Sequence, residues 1–386
     1  MAQNKYQKEL SNRWSKAHFD KTFLILICLI TVVGFFIFIS ASLGLQARNS
    51  APTIKLIVNQ LVFGVLGGAI AGYLAYNIPL GWLKRHAVGI FVFAVLLTLC
   101  VFIPGIGFSY GGATRWLDIG PLSFQPAEIL KIAAVIITAA WYSFINKRID
   151  DIKLGLGGLI GIITVACGIL LLQPDTGTAI VIVAAVGSVY LVAGGKWRHI
   201  LALSLVSVLA LVILISFRPY VKDRLVTFIN PTADPLGDGY QTKQSLIAVG
   251  SGGVIGRGPG QSIQKFNYLP EPVGDSIFAV FAEEYGFIGS LLLLTIYCLI
   301  GYRGLMIAHY LKPGFTKLIV VGLVTMIIIQ SILNIGAMVG VFPLSGMPLI
   351  FVSHGGTALM FSLVAVGIIL RASTNIPKRL RNHRIW

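Results

Sequence analysis

Long apolar runs without a charge recur along the chain, separated by short polar breaks or by stretches rich in glycine and proline. Phe23 to Leu43 is the first, 21 residues without a charge. As a helix rising about 1.5 Å per residue it covers about 31 Å, enough to cross a hydrocarbon core. Repeating the test predicts ten spans, roughly 22–43, 56–76, 87–103, 127–145, 154–172, 177–193, 200–217, 276–300, 317–341 and 357–371. An even number puts both termini on one side. The expected fold is an all-α polytopic membrane protein of about ten transmembrane helices, with one large extracytoplasmic loop, 218–275, between helices seven and eight. Basic tails, 1–21 and 372–386, flank the membrane domain, 22–371.

Composition agrees with the pattern. Of 386 residues 56% are hydrophobic and 11% charged, whereas soluble domains carry about a quarter charged residues. Charge then sets direction. Lys5, Lys8, Arg13, Lys16 and Lys21 precede the first span and Arg371, Lys378, Arg379, Arg381 and Arg384 follow the last, while the short loops of the opposite face hold Arg48, Lys55 and Arg115. Basic segments stay inside, so both termini are expected in the cytoplasm. The net charge of +16 is read as topology and attraction to anionic membrane lipid, not as nucleic-acid binding, since no nucleic-acid motif accompanies it. The first span is too long for a signal-peptide core and no A-x-A-like site follows it, which predicts an uncleaved helix. Cys28, Cys100, Cys167 and Cys298 lie inside spans without metal-site spacing and read as small apolar residues.

The candidate chemistry gathers on the outer face. Asn267 to Phe287 reads NYLPEPVGDSIFAVFAEEYGF, a proline-framed segment carrying Glu271 and Asp275 just before an apolar run. Pro270 and Pro272 fix φ and stiffen the backbone that presents the two carboxylates, as a positioned acid or base requires. The loop that ends in these carboxylates, 218–275, spans 58 residues, mixes both charge signs and holds Val226, Phe228, Tyr240, Leu246, Ile247, Phe266 and Tyr268, which predicts an ordered, functional loop. Its segment GSGGVIGRGPGQS, 250–262, lacks the G-K-[ST] ending of a nucleotide loop. Two readings stay open for it, an anion-binding concavity around Gly256 to Gly260 with Arg257, or plain turn chemistry.

Five further features have two readings each. Gly105 to Ala133 is a glycine-rich outer loop too polar to span, in which Arg115 and Trp116 suit either a surface anchor or a site. Glu128 and Lys131, three apart at the start of the fourth span, form either a structural ion pair or part of the site, because charge at span depth is costly and needs a partner. Asp175 is an N-cap or a catalytic acid. His354 lies in a second broken stretch, Val341 to Met360, which is expected to dip back along the bundle, and it either titrates or serves as a hydrogen-bonded structural residue. Gln330 and Asn334, four apart on the ninth span, are placed to hydrogen-bond a neighbouring helix. Gly64, Gly68 and Gly72 put one small face on the second span, which reads either as close helix contact or as glycine scattered through a glycine-rich membrane chain.

Taken together, GGATRWLDIGPLSFQPAEILKIA (111–133), QPDTGTAIV (173–181), GYQTKQSLIAVGSGGVIGRGPGQSIQKFNYLPEPVGDSIFAVFAEEYGFIG (239–289) and PLSGMPLIFVSHGGTAL (343–359) resemble the SEDS family of shape, elongation, division and sporulation proteins. The resemblance covers nearly the whole chain, and the run at 267–272 leans toward the FtsW-like branch. It implies a peptidoglycan glycosyltransferase of the bacterial cytoplasmic membrane that polymerises lipid II, the undecaprenyl-diphosphate-linked disaccharide pentapeptide, on the outer face. The family's essential acid falls at Asp275, and Glu271 is the Glu of its YLPE; Arg115, Glu128 and Lys131 fall on family-like charged positions. Two residues depart from the family: His354 stands where a Tyr is common, and Gly274 where a polar residue is common.

With an α-linked donor and a β-linked product, the implied chemistry is one inverting displacement with Asp275 as general base, an aspartate being ordinarily ionised at neutral pH. Arg115, Lys131, Arg224, Lys243, Arg257 or Lys265, or a divalent cation (Mg2+ or Mn2+), would stabilise the leaving diphosphate. No cofactor is otherwise required and no metal-ligating set is assigned. The expected partners are lipid II, membrane lipid, a single-pass class B penicillin-binding protein and other division or elongation proteins, with no nucleic acid. A flippase for the same lipid-linked precursor and a non-catalytic division scaffold, with Asp275 as a helix cap, are the alternative readings.

Overall fold

A computed structural model describes residues 19–47, 53–110, 113–119, 122–149, 151–202, 226–229 and 237–377. Helices α1 (Lys21–Ala47), α2 (Thr53–Asn77), α3 (Ala87–Leu99), α4 (Pro126–Ile145), α5 (Ile152–Leu172) and α6 (Thr176–Val192) occupy the first six predicted spans. Within the long loop lies α7 (Asp238–Ser251), and α8 (Ile277–Tyr310), α9 (Phe315–Met338) and α10 (Gly356–Ser373) occupy the last three spans. The seventh predicted span, 200–217, lies outside the described residues apart from 200–202, as do 1–18, 378–386 and the part of the loop that carries Arg224.

One amendment to the all-α expectation falls between α3 and α4. The predicted glycine-rich loop contains an antiparallel sheet of β1 (Gly107–Tyr110), β2 (Ala113–Ile119) and β3 (Leu122–Phe124) in the order β1-β2-β3, with Phe108 opposite Trp116 and Leu117 opposite Phe124. Glycine content suggested irregular backbone, but between the glycines stand Phe108, Tyr110, Thr114, Trp116 and Phe124, residue types that suit a half-buried pleated surface.

In the bundle, α4 and α9 are central, each with 72% of its apolar window buried, and α2 is peripheral at 17%, its other faces being left for lipid. Small residues bring the helices together, as expected where lipid gives no hydrophobic drive between helices. A Cβ on Gly322 of α9 would lie 2.5 Å from Val135 of α4 and 2.8 Å from Val189 of α6. The glycine face of α2 meets α10, where a Cβ on Gly367 would lie 2.1 Å from the Gly72 carbonyl oxygen. At the end of the bundle that carries the first and last described residues, Asp20 caps α1 by accepting the Phe23 N–H at 2.8 Å and pairs with Arg303 of α8 at 3.0 Å.

Helix α8 is not continuous. Gly286 has φ 65° and ψ −162°, so the N–H groups of Phe287 and Ile288 are turned away from the carbonyls of Glu283 and Glu284 that they would bond in an unbroken helix. The glycine-rich segment of the long loop takes up all four groups. Phe287 and Ile288 donate to Gly253 and Val254 at 2.9 and 3.1 Å, while Arg257 and Gly258 donate to Glu283 and Glu284 at 3.0 and 2.9 Å. The segment is thus spliced into the break, and the open choice at 250–262 resolves to backbone pairing and turns. The N–H groups of Gly256, Arg257 and Gly258 are already bonded to carbonyls of the chain. Residues 287–310 alone reach about 36 Å, enough to cross a bilayer, so the helical turns before Gly286 belong to the loop end of the bundle.

Close approach makes glycine necessary at 256. Gly256 has φ +82°, and a Cβ there would sit 2.2 Å from the Glu284 carbonyl oxygen; Gly253, at φ +56°, has open space around it. Gly256→Asn is therefore expected to destabilise the protein by about 2 kcal/mol or more and Gly253→Asn by under about 1 kcal/mol, since asparagine tolerates left-handed backbone but not the clash. Thermal unfolding of the two variants in the same detergent checks this.

The predicted second broken stretch does turn back into the bundle between α9 and α10. Met347, Leu349, Ile350, Phe351 and Val352 are all buried. Irregular backbone at that depth needs internal partners, and four side chains from three helices supply them. Tyr297 of α8 donates to the Ile350 carbonyl at 2.5 Å, Gln60 of α2 to Ser353 at 3.2 Å, Gln330 of α9 to Pro348 at 3.2 Å and Asn334 to Met347 at 2.8 Å.

Candidate active site

Asp275 stands immediately before Ser276, the N-cap position of α8, at the end of the turn begun by the two prolines. That turn is locked by its own backbone. Glu271 adopts φ 46°, and its carbonyl accepts from Gly274 and Ser276 at 3.0 and 3.2 Å. Leu269, Pro272 and Val273 are buried beneath it, and Glu271 itself is exposed. Gly274 has a local reason: a Cβ there would lie 3.1 Å from Glu271 Oε2, tighter than most side-chain contacts, so glycine lets the Glu271 carboxylate lie against the backbone beside Asp275.

Two elements hold Asp275 from outside the turn. Gln241 of α7 donates its side-chain amide to Asp275 Oδ1 at 3.2 Å and to Ser276 Oγ at 2.9 Å. Asn334 of α9 donates to the Asp275 carbonyl at 2.8 Å. His354 completes the frame by donating its backbone N–H to Val273 at 2.7 Å, and its ring stacks on Phe38 of α1. Burial lowers the pKa of His354, against a smaller opposing pull from the Glu271 charge, so the ring is neutral near pH 7 and serves as a packing group.

A polar line runs from this frame to the ion pair on α4. Lys131 and Glu128 are buried and paired at 2.9 Å, as their spacing suggested, and Lys131 also donates to Gln330 Oε1 at 2.5 Å. An ammonium can only donate, which turns the Gln330 amide nitrogen toward Pro348. One turn further along α9, Asn334 joins Met347 to Asp275. Lys131 and Asp275 are thus linked through α9 and the returning stretch.

Residues 20–378 match the FtsW/RodA/SpoVE family of cell cycle proteins. The chain belongs to that family. It is 36% identical to the stage V sporulation protein E of Bacillus subtilis over 92% of this chain and 96% of that protein. It is 34% identical to the probable peptidoglycan glycosyltransferase FtsW of Halothiobacillus neapolitanus over 91% of this chain and 85% of that protein. Its fold is similar to a chain of a peptidoglycan synthase complex that coordinates polymerization and crosslinking, with a TM-score of 0.77 at 26% identity over 95% of this chain and 99% of that one. The rod shape determining protein RodA of Thermus thermophilus is also similar, with a TM-score of 0.65 at 25% identity over 95% and 99%. The chain is a multi-pass membrane protein of this family.

The other charged residues singled out in the sequence separate into groups. Lys265 has no exposed surface and bonds Glu284 at 2.6 Å and the Ser40 carbonyl of α1 at 3.0 Å. This removes it from the cations available to a diphosphate. Arg257 is partly exposed and pairs with Glu283 at 3.3 Å. Arg115 donates to the carbonyls of Gln173 and Pro174, tying β2 to the turn between α5 and α6. In that turn Asp175 is the N-cap, accepting the Thr178 N–H at 3.2 Å and the Thr178 hydroxyl at 2.9 Å. Lys243 is exposed on α7, with no ion pair among the described residues.

Three side chains important to this end of the protein had no assigned role in the sequence reading. Gln241 gave no signal of its own within GYQTKQS. Glu283 and Glu284 did give one, as adjacent carboxylates inside an apolar run, where charge is expensive without partners. Glu283 accepts from Ser262 Oγ at 2.6 Å and from the N–H groups of Ile263 and Gln264 at 3.1 and 3.2 Å. Glu284 takes Lys265 and Ser40. Together they fasten the loop to the first turns of α8.

Proposed function

We propose that Asp275 is the general base of a peptidoglycan glycosyltransferase that polymerises lipid II on the outer face of the cytoplasmic membrane, with both termini inside. The observation that carries this is the way Asp275 is held, by a side-chain amide on its carboxylate and a second on its carbonyl, in a turn locked by its own hydrogen bonds. A fixed carboxylate next to the membrane suits a reaction between two lipid-borne sugars.

In the reaction, the acceptor sugar hydroxyl forms a C–O bond to the donor's anomeric carbon as the bond from that carbon to the lipid diphosphate breaks. The hydroxyl proton passes to Asp275, and the electron pair leaves with the diphosphate. Of the cations nominated from the sequence, Lys243 is exposed and Arg257 partly so, and we assign these two to that anion. Among the described residues no three His, Cys, Asp or Glu side chains gather as a metal cage. Mg2+ or Mn2+ carried on the diphosphate would need as little as one carboxylate from the protein besides phosphate oxygens, and the exposed Glu271 fits that need while Asp275 stays free as the base. A single-pass class B penicillin-binding protein is the partner we assign, which would crosslink the strands made here.

A transporter would present broken-helix ends to its cargo near mid-membrane. Here the groups released at Gly286 are closed off by the loop, which favours the polymerase. The full chain with its transpeptidase partner is reconstituted in vesicles with purified lipid II to decide between them. Formation of glycan strands supports the proposal. Passage of lipid II across the bilayer without strand formation would overturn it in favour of a flippase.

A further inference from the structure

The carboxylate of Asp275 reaches its position by way of a residue on a separate helix. Gln241 lies in the first turn of α7, 34 positions before Asp275. Its amide nitrogen divides two hydrogens between Asp275 Oδ1 at 3.2 Å and Ser276 Oγ at 2.9 Å. A carboxylate accepts only, so the amide must present its nitrogen to it and cannot be turned over without losing the bond. Helix α7 is itself anchored: Ala248 and Ser245 are buried, and Ser245 Oγ contacts Met338 at the end of α9. The same α9 carries Asn334, which holds the Asp275 carbonyl at 2.8 Å. The backbone of Asp275 is therefore set by α9 and its carboxylate by α7.

We infer that Gln241 is a positioning residue for the glycosyl transfer, orienting the Asp275 carboxylate toward the acceptor hydroxyl; this rests on the reading of Asp275 as the base. The bond is neutral to charged, so it also favours the ionised carboxylate. Losing it should misalign the base and make it easier to protonate, moving the acid limb of the pH–rate profile to higher pH. The titratable groups flanking Asp275, Glu271 on the turn and His354 on the returning stretch, are untouched by the change.

The test uses the full chain with its transpeptidase partner and purified lipid II, comparing the parent with Gln241→Met, Gln241→Glu and Asp275→Asn. Methionine keeps the length of the side chain and removes the donor. Gln241→Met is expected to lower kcat about ten-fold with KM within about two-fold and an unchanged melting temperature. Its acid limb should move up in pH. Gln241→Glu should lose more at neutral pH, where a second carboxylate repels the first, and should show the larger displacement of that limb. Parental kcat and pH profile in Gln241→Met, with Asp275→Asn inactive, would overturn the positioning role and leave the base assignment standing. A loss in Gln241→Met that appears only as a lowered melting temperature or a raised KM would assign Gln241 to structure and would also overturn it. Full activity in Asp275→Asn would overturn the base assignment itself.

Discussion

Lys265→Met is expected to destabilise the protein by about 3–5 kcal/mol, the cost of leaving one member of a buried ion pair without the other. Lys265 has no exposed surface, and its ammonium bonds Glu284 Oε1 at 2.6 Å, the Ser40 carbonyl at 3.0 Å and Ser40 Oγ at 3.3 Å. Methionine fills nearly the same volume but supplies no donor, so Glu284 keeps only the Ser40 hydroxyl. The damage should spread along the loop, because α1 approaches closely here: a Cβ on Gly44 would lie 2.3 Å from the Lys265 carbonyl oxygen. Thermal unfolding in detergent reads the effect. Adding Glu284→Leu to Lys265→Met should recover part of the loss, since removing both charges leaves no unpaired one.

Asp275→Asn should lower the initial rate of strand formation by about 10²–10⁴-fold, the usual contribution of a general base. Asparagine has the shape of aspartate, its side-chain oxygen can still accept from Gln241, and the bond from Asn334 goes to a backbone carbonyl that the substitution leaves in place. Fold and turn should persist while the proton acceptor is lost. KM should stay within about two-fold, because the lost interaction belongs to the transition state.

How much of this was readable from the chain depended on how local the determining contacts are. The spans that fall on described residues were legible because an apolar run of adequate length needs no partner to be recognised. The Asp175 cap and the Glu128–Lys131 pair were legible because both partners lie within three residues. The sheet at 107–124 was hidden by the glycines around it. The break in α8 was hidden because Gly286 sits inside an apolar run and its backbone partners, Gly253 to Gly258, come from the preceding loop. Lys265 read as a loop cation facing a ligand; Ser40 and Glu284, which draw it inward, lie 225 positions before it and 19 after it. Gln241 lies in the stretch GYQTKQS, but nothing along the chain pairs it with Asp275. At the proposed site, the family resemblance nominated the carboxylate of Asp275, and the fold supplies the groups that hold it.

Glycan-strand formation from purified lipid II decides whether Asp275 is the base, using the full chain with the proposed transpeptidase partner and comparing parent with Asp275→Asn at matched amount and melting temperature. Long strands from the parent and almost none from the variant are expected; equal polymer from both folded proteins would rule out Asp275 as the base.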